Sequence, residues 1–458
     1  MLPVSDSATD GELSSPPPGG LTGATAPRLE VVLREVVETL AAIERPPCSP
    51  GERQAAEWLA ARLRAVAGVE VALEDEPSWG TFPPTATGLG LLGMAGAALV
   101  LGARRGGVAR RALGALFAAA SFAGVVDEAQ NGPRLLRRAV RRRRSTVNVV
   151  ARVGERAAVD GNAGGPVDGN AGGPLDGTAG GPRDTLVVLA HHDAPQTGIL
   201  FDQTLQRRVH ALAPRLVERM KTSPPQWWVG LAGPLCTIAG ALTRRRGLAW
   251  AGFAIGVLGS ALVADVWRSQ TVPGANDNLS GAAALVALAE LLCERPTPGL
   301  RVLLVSCGAE ETLQDGVRAF IARHRGELTP GRTCFVNLDT VGSPHLAMVE
   351  GEGPVWMEEY PGPWLRDLLV EHAGELGVPL ERGFRARAST DSVIPSRAGY
   401  PIATLVSLTD WRSLANYHLP SDIPANLDYG TVADATRLVH ALACGLAADG
   451  VGANGTAA

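Results

Sequence analysis

Three short apolar runs in this chain each lead into an imidazole or a carboxylate. TLVVLA at 185–190 leads into His191-His192-Asp193, RVLLVSC at 301–307 into Glu310-Glu311, and TCFVNL at 333–338 into Asp339. A continuous apolar run of about four to eight residues is a strand buried on both faces, as in a parallel sheet. In open α/β sheets, ligands collect just outside the carboxyl ends of the strands. The chain is therefore constrained to a layered α/β fold with its polar chemistry gathered along one edge of the sheet.

The segments around these runs agree. Helical apolar spacing marks residues 28–43, 53–66, 281–294, 316–325, 363–376 and 429–447. Strand patterns mark 69–76, 145–153 and 401–406. The alternation predicts a mixed, largely parallel sheet between helices. A length of 458 residues allows about three domains, but the segments read as one α/β domain over 28–447 whose sequence is split by insertions. With a net charge of −4, nothing favours nucleic acid as a partner. The six cysteines form no CxxC pair, which excludes zinc-finger and thioredoxin-type sites. Lys221 is the only lysine against 41 arginines. Such a uniform skew reads as coding bias, so arginine runs are discounted as functional signals.

Two further polar groups stand in loops: Asp277 in PGANDNLSGAAALV, directly before a helix, and His418 in NYHLPSD. Two histidines with three carboxylates suit divalent metals bound through nitrogen and oxygen, zinc first. Two metals sharing a bridging carboxylate would use the whole set. In the His191-x-Asp193 spacing, the carboxylate can accept the second ring N–H of the imidazole, fixing its tautomer. Adjacent Glu310 and Glu311 point in different directions, so one can ligate while the other serves as general base beside a metal-bound water.

The ordered set AHHDAP, PGANDNLSGAAALVALAE, VLLVSCGAEET, VNLDTVG, STDSVIPSRAGYPIATL and NYHLPSD resembles the M28 family of zinc aminopeptidases. The resemblance covers about residues 45–76, 145–193 and 273–430. It implies an eight-stranded mixed sheet between helices and hydrolysis of a peptide bond next to a free N-terminal amine. It implies two zinc ions, or other divalent metals: His191 and Asp339 on one, Glu311 and His418 on the other, with Asp277 bridging. Glu310 would be the general base and Asp193 the partner of His191. Two alternatives remain: a glutaminyl-cyclase-like enzyme with a single zinc, and an inactive membrane-anchored scaffold of the same fold. The chain departs from the family at His192, where an aromatic is common. It departs again in TLQDGVRAF, which replaces a Gly/Ser-rich segment, and in the 79 residues between Asp193 and Pro273.

The remaining sequence is insertion and tail. Residues 77–144 and 200–270 each hold a pair of apolar arms with a basic tip. Windows 80–103, 222–243 and 247–264 approach the roughly 20 apolar residues a bilayer span needs, while 112–126 falls short. Trp227, Trp228, Trp250 and Trp267 lie near arm ends, as interfacial anchors do, and Gly252 and Gly256 form a GxxxG. These features predict lipid contact through 80–126 and 222–264. Basic residues at both tips and flank leave the orientation open. Three octapeptide copies at 159–182, VDGNAGGP twice and LDGTAGGP, read as an expanded flexible loop. Residues 1–27 and 448–458 read as disordered tails. The N-terminal tail has neither a basic n-region nor an apolar h-region, so no signal peptide is expected; without membrane contact the expected location is cytoplasmic.

Overall fold

The apolar runs become strands of one sheet, and the amphipathic segments between them become helices on its two faces. A computed structural model describes residues 25–104, 106–153 and 184–452. The octapeptide loop at 159–182 lies outside the described residues, as do residues 1–24 and 453–458 of the expected tails.

The chain starts with α1 (Thr25–Ala41), α2 (Pro50–Arg64) and β1 (Val69–Ser78). Ser49 caps α2, its hydroxyl accepting the backbone N–H of Glu52 at 3.1 Å. Helices α3 (Pro83–Leu101), α4 (Val108–Ala129) and α5 (Leu135–Val140) precede β2 (Arg144–Val153) and β3 (Asp184–His191). A second helical stretch holds α6 (Thr204–Leu212), α7 (Pro214–Glu218), α8 (Trp228–Thr243) and α9 (Arg246–Arg268). Then come α10 (Ser280–Glu294), β4 (Leu300–Cys307), α11 (Asp315–His324), β5 (Thr333–Leu338), β6 (His345–Glu352) and β7 (Glu358–Glu359). The remaining elements are α12 (Pro363–Leu376), β8 (Glu381–Ala386), α13 (Val393–Arg397), β9 (Ile402–Leu408) and α14 (Tyr429–Asp449).

The strand order is β1-β2-β4-β3-β5-β9-β6-β7, with β8 also paired to β6. The central strands β4, β3, β5 and β9 are parallel, while β2 and β6 join them antiparallel. The sheet has nine strands against the eight expected; β7 is only two residues long. Apolar residues of α1, α2, α10, α12 and α14 pack on one face, and those of α11 and α13 on the other. The strands that carry site residues are thus buried on both faces, which fixes their register and the position of their ends.

The two apolar insertions form paired helices. Gly96 of α3 meets Gly114 of α4 so closely that a Cβ on either would lie 2.6 Å from the other's carbonyl oxygen. Gly252 of α9 faces α8, where a Cβ would come 2.7 Å from the Gly233 carbonyl, and Gly256 faces Met94 of α3. Both glycines of the GxxxG therefore serve close packing, each toward a different helix. The pairings 89 with 121 and 96 with 114 run antiparallel, as do 90 with 260 and 94 with 256. The start of α3, the end of α4, the start of α8 and the end of α9 thus share one end of the bundle, the end attached to the sheet. Two arm lengths differ from expectation. Helix α4 runs through Arg110, Arg111, Asp127 and Glu128 to reach 22 residues, whereas the 222–243 window yields a helix of only 16. Helices α3, α4 and α9 are long and apolar enough to cross a membrane.

Behind α4 the chain is pinned to the sheet. Arg134 pairs with Asp315 at 2.8 Å and donates to the Thr312 carbonyl at 3.0 Å. Arg137 donates to Glu128 at 3.0 Å and also to Thr312. Both side chains are buried. These two arginines of the discounted runs are structural, because their charges are matched inside the protein.

Candidate metal centre

Each site residue sits where a rigid element ends. His191 is the last residue of β3, Asp339 follows β5, and Glu310 opens a single helical turn after β4. Asp277 lies in the turn before α10, and its peptide bond to Asn278 is cis. His418 stands in the loop after β9. The Asp277 turn is held from three sides. Asp422 accepts the backbone N–H groups of Asn276 and Asp277 at 2.7 and 3.1 Å. The Asn278 amide donates to the Leu338 carbonyl at 2.8 Å, tying the turn to the end of β5. Buried Arg45 donates to the carbonyls of His192, Pro273 and Gly274, joining the turn to the end of β3.

All seven expected site residues converge. Asp277 lies between the two histidines: one carboxylate oxygen is 3.3 Å from His191 Nε2 and the other 3.2 Å from His418 Nε2. Glu311 is 3.4 Å from His418 Nε2, and Glu310 is 4.0 Å from His191 Nε2. Donor atoms of His191, Asp277 and Asp339 lie within 4.8 Å of one another, as do those of Asp277, Glu311 and His418. A third such group, His191 with Glu310 and Glu311, overlaps both. His192 stands apart: its Nδ1 meets the Ser306 hydroxyl at 3.0 Å, and burial pulls its pKa down to about 4. It is therefore a neutral side chain outside the cluster.

Asp193 does more than the spacing suggested. His191 Nδ1 meets the Asp193 backbone carbonyl at 3.3 Å, and the carboxylate Oδ1 stands beside the ring nitrogen at 3.4 Å. The two carboxylate oxygens also accept the backbone N–H groups of Glu310 and Glu311 at 3.1 and 3.0 Å. Asp193 thus orients the glutamate pair through its carboxylate, and the imidazole through its backbone carbonyl with the carboxylate alongside. Gln314 donates from its side-chain amide to Glu310 and to the Ser389 carbonyl, fixing the glutamate carboxylate. Glu52 accepts the N–H of Ala309 at 2.7 Å and the Thr146 hydroxyl at 2.8 Å, supporting the same turn from below. Arg45, Glu52, Gln314 and Asp422 were not singled out from sequence. Asp422 is the last residue of the NYHLPSD motif, and Gln314 lies in the TLQDGVRAF departure. Arg45 carries no local signal, because its partners at the site are far away in sequence, and Glu52 shows locally only as the acidic residue three after the cap Ser49.

The side chains of the cluster by themselves have strained electrostatics. Burial pushes Glu310 well above the carboxylate range, helped by Glu311, Asp391 and Asp339 and opposed by His191. Burial and the neighbouring charges of Asp277 and Glu311 carry Asp339 up to about 7. Asp391 rises to about 8 through burial and through Asp339 and Asp193. Burial also raises Glu311, with Asp277 adding to the shift. On the histidines burial acts the other way, but Glu311 and Asp277 lift His418 to about 9, and Asp193 and Asp277 lift His191 well above its usual value. Burial disfavours the charge on Asp277, yet the two histidines hold its pKa below the usual range. Crowded buried acids are held by shared protons and protonated imidazoles here, a positive charge that a divalent cation would supply instead. Several donor atoms also lack hydrogen-bond partners: Asp277 Oδ2, both His418 nitrogens and both Asp391 oxygens. Orphaned donors in a buried site rich in negative charge fit divalent metals.

A cleft in the sheet-bearing body opens on this cluster, touching His191, Asp277, Glu310, Glu311 and Asp339. Fold and cluster together fit a divalent-metal centre at the carboxyl edge of an α/β sheet. Residues 262–443 match the model of peptidase family M28, and over this stretch the chain is similar to that family. The match contains Asp277, Glu310, Glu311, Asp339 and His418, while His191 and Asp193 precede it. No curated protein sequence matches the chain. Among solved structures, the chain is similar to LapB from Legionella pneumophila at 11% identity and a TM-score of 0.49, covering 93% of this chain and 75% of that one. It is similar to the aminopeptidase from Aneurinibacillus sp. strain AM-1 at 14% identity and a TM-score of 0.47, covering 91% and 93%. A glutaminyl cyclase from Fimbriiglobus ruber superposes at 15% identity and a TM-score of 0.47, covering 90% and 94%.

Proposed function

We propose that this protein is a two-metal aminopeptidase that removes N-terminal residues from peptides. The observation that carries the reading is Asp277, whose two oxygens each face a different histidine. In this reading His191 and Asp339 hold one ion, Glu311 and His418 the other, and Asp277 both. Divalent ions there, zinc first, supply Lewis acidity for the peptide carbonyl and a water of lowered pKa.

The chain's own residues do the rest. Glu310 is a buried carboxylate with a raised pKa, held by Gln314 and by its own backbone N–H on Asp193. A base of this kind takes the proton of the attacking water as the C–O bond forms. It returns that proton to the nitrogen as the C–N bond breaks, and the amine leaves neutral. Asp193 keeps His191 and the glutamate pair in place while the charge redistributes. The test is metal analysis together with assays on aminoacyl anilides. Up to two divalent ions per chain and chelator-sensitive anilide release are expected. Turnover that survives complete chelation refutes the reading. Cyclisation of N-terminal glutamine without anilide release assigns the single-zinc alternative, and metal binding without any turnover assigns the scaffold.

The bundle supports a second part of the proposal: the catalytic domain over 28–447 is interrupted by insertions that hold it at a lipid bilayer. Helices α3, α4 and α9 are about 29, 33 and 35 Å long at about 1.5 Å per residue, near the roughly 30 Å of a bilayer core. Their outward faces are apolar, with Leu116 63%, Trp250 58% and Leu258 55% exposed. So much outward apolar surface on adjacent helices is a membrane or partner surface in a soluble setting. Fractionation without detergent tests this. Recovery with membranes is expected, and recovery as a soluble monodisperse species refutes it.

A further inference from the structure

We propose that the substrate carries a long unbranched apolar chain, and that this chain lies in a cleft between the inserted helices and the metal centre. The proposal rests on the aminopeptidase reading and names its substrate class. A second cleft, adjoining the one in the sheet-bearing body and sharing Phe201, Gln226, Tyr417 and the glutamate pair with it, has Glu310, Glu311 and His418 as one wall. Its other walls come from the bundle, including Phe82 before α3, Trp227 and Val229 at the start of α8, and Ile255, Leu262 and Val263 of α9. It spans about 1240 Å³ of unfilled space, counting the solvent at its open mouth. Among its lining residues, the only acidic, basic or imidazole side chains are the three that belong to the metal centre. The rest of the lining is mostly apolar, with neutral polar exceptions such as Gln226, Ser260 and Ser389.

Its dimensions argue against an ordinary side chain as occupant. The lining on α9 runs from Gly252 to Val263, about 16 Å along the axis at about 1.5 Å per residue. An extended alkyl or acyl chain fills such a length, and one amino-acid side chain does not. Gly259 keeps the cleft open: a Cβ there would meet only Val229, at 3.6 Å, so a larger side chain would project into free space. The body cleft is also largely apolar, with Val349, Phe384, Val406 and Leu408, but it carries Arg412, Gln203 and Gln206 beside the site carboxylates. Two clefts meeting at one cluster divide the substrate into a polar part and an apolar tail. The body cleft takes the polar part, and the bundle cleft takes the tail on one side of the scissile amide. The bundle that reads as bilayer-facing thus also delivers the apolar part of the substrate to the metals.

The experiment uses the full-length protein in lipid nanodiscs with two series of substrates. One is alanine N-alkylamides with amines of growing length; the other is anilides of 2-aminoalkanoic acids of growing length. The expected result is a rise in kcat/KM of about fourfold per added methylene in one series, equivalent to about 0.8 kcal/mol per buried CH2. Gly259→Leu and, separately, Ile255→Trp fill the cleft and should flatten that rise. Binding of octylamine relative to propylamine, read by calorimetry, should show the same preference and the same loss in either variant. Length-independent rates in both series, with short anilides hydrolysed, overturn the proposal. So does a length dependence that both filled variants retain, which would make it lipid partitioning. Absence of any amide hydrolysis would instead refute the aminopeptidase reading, and the alkylamine preference would still decide the cleft.

Discussion

Asp193→Asn is the substitution that most sharply separates support of the site from direct ligation. The carboxylate accepts two buried backbone N–H groups, of Glu310 at 3.1 Å and Glu311 at 3.0 Å, and stands 3.4 Å from His191 Nδ1. Asparagine keeps the shape but offers one oxygen, so one amide N–H then faces an NH2 group. A buried donor left without its acceptor costs about 1–3 kcal/mol, and the surviving bond loses its charge assistance. An opposing effect exists. Asp193 adds to the raised pKa values of Glu52 and Asp391, so removing its charge relieves repulsion in the metal-free state. The two effects partly cancel in stability, and metal-free Asp193→Asn should lose less than about 3 kcal/mol in urea denaturation. They do not cancel in metal affinity, because the metals gain from the negative charge and from the oriented imidazole and glutamates. Loss of such a supporting partner typically weakens metal binding about 10- to 100-fold. Competition against a fluorescent chelator measures this directly. Parental affinity in Asp193→Asn would refute the argument that this carboxylate orients the ligands.

Three further outcomes are expected. Gln314→Ala removes a donor to the Glu310 carboxylate. Its kcat should fall about 10- to 100-fold, and the acid limb of its pH profile should move to higher pH, because the charged form loses a stabilising bond. Metal-free protein should become less stable as pH rises from about 5 to about 9. Asp339, Asp391 and Glu352 have folded pKa values raised to about 7, 8 and 8, and His418 to about 9, so over that range the folded state binds more protons than the unfolded one. Thermal melts of chelated protein across this range, set against metal-loaded protein, check it; a rising midpoint would contradict it. Arg134→Ala leaves Asp315 buried and unpaired, which should cost about 3–5 kcal/mol in chemical denaturation. A loss below about 1 kcal/mol would mean that water reaches the pair.

The central strands and the site were legible because both obey short-range rules. A six- to eight-residue apolar run in the middle of a sheet shows itself, and β3, β4 and β5 appear within a residue or two of where 185–190, 301–307 and 333–338 suggested. Their carboxyl ends then gather His191, Glu310, Glu311 and Asp339 with no further assumption. Strands β6 and β8 were missed. ERGFRA has no apolar run, and its register shifts against β6 leave only part of it buried. Arm lengths were misjudged because charge was used to end a helix. In α4 the charged residues at both ends stay helical: Glu128 is matched by Arg137, and Asp127 accepts the N–H groups of Arg134 and Leu135. The roles of Arg45, Arg134 and Arg137 were hidden because their partners lie up to 229 residues away. Nor could the sequence show that one arm of each apolar pair would pack across the other pair and leave a cleft on the metal centre.

The measurement that tests the central claim most directly is turnover and metal content of Glu310→Gln in the same preparation. The substitution keeps size and removes the ionisable group, while the proposed ligands His191, Asp277, Glu311, Asp339 and His418 remain. The account predicts a metal content equal to that of the parent and a kcat for aminoacyl anilides lower by about 10²–10⁴-fold, the usual weight of a general base. A variant that holds its metals and turns over at the parental rate would contradict it.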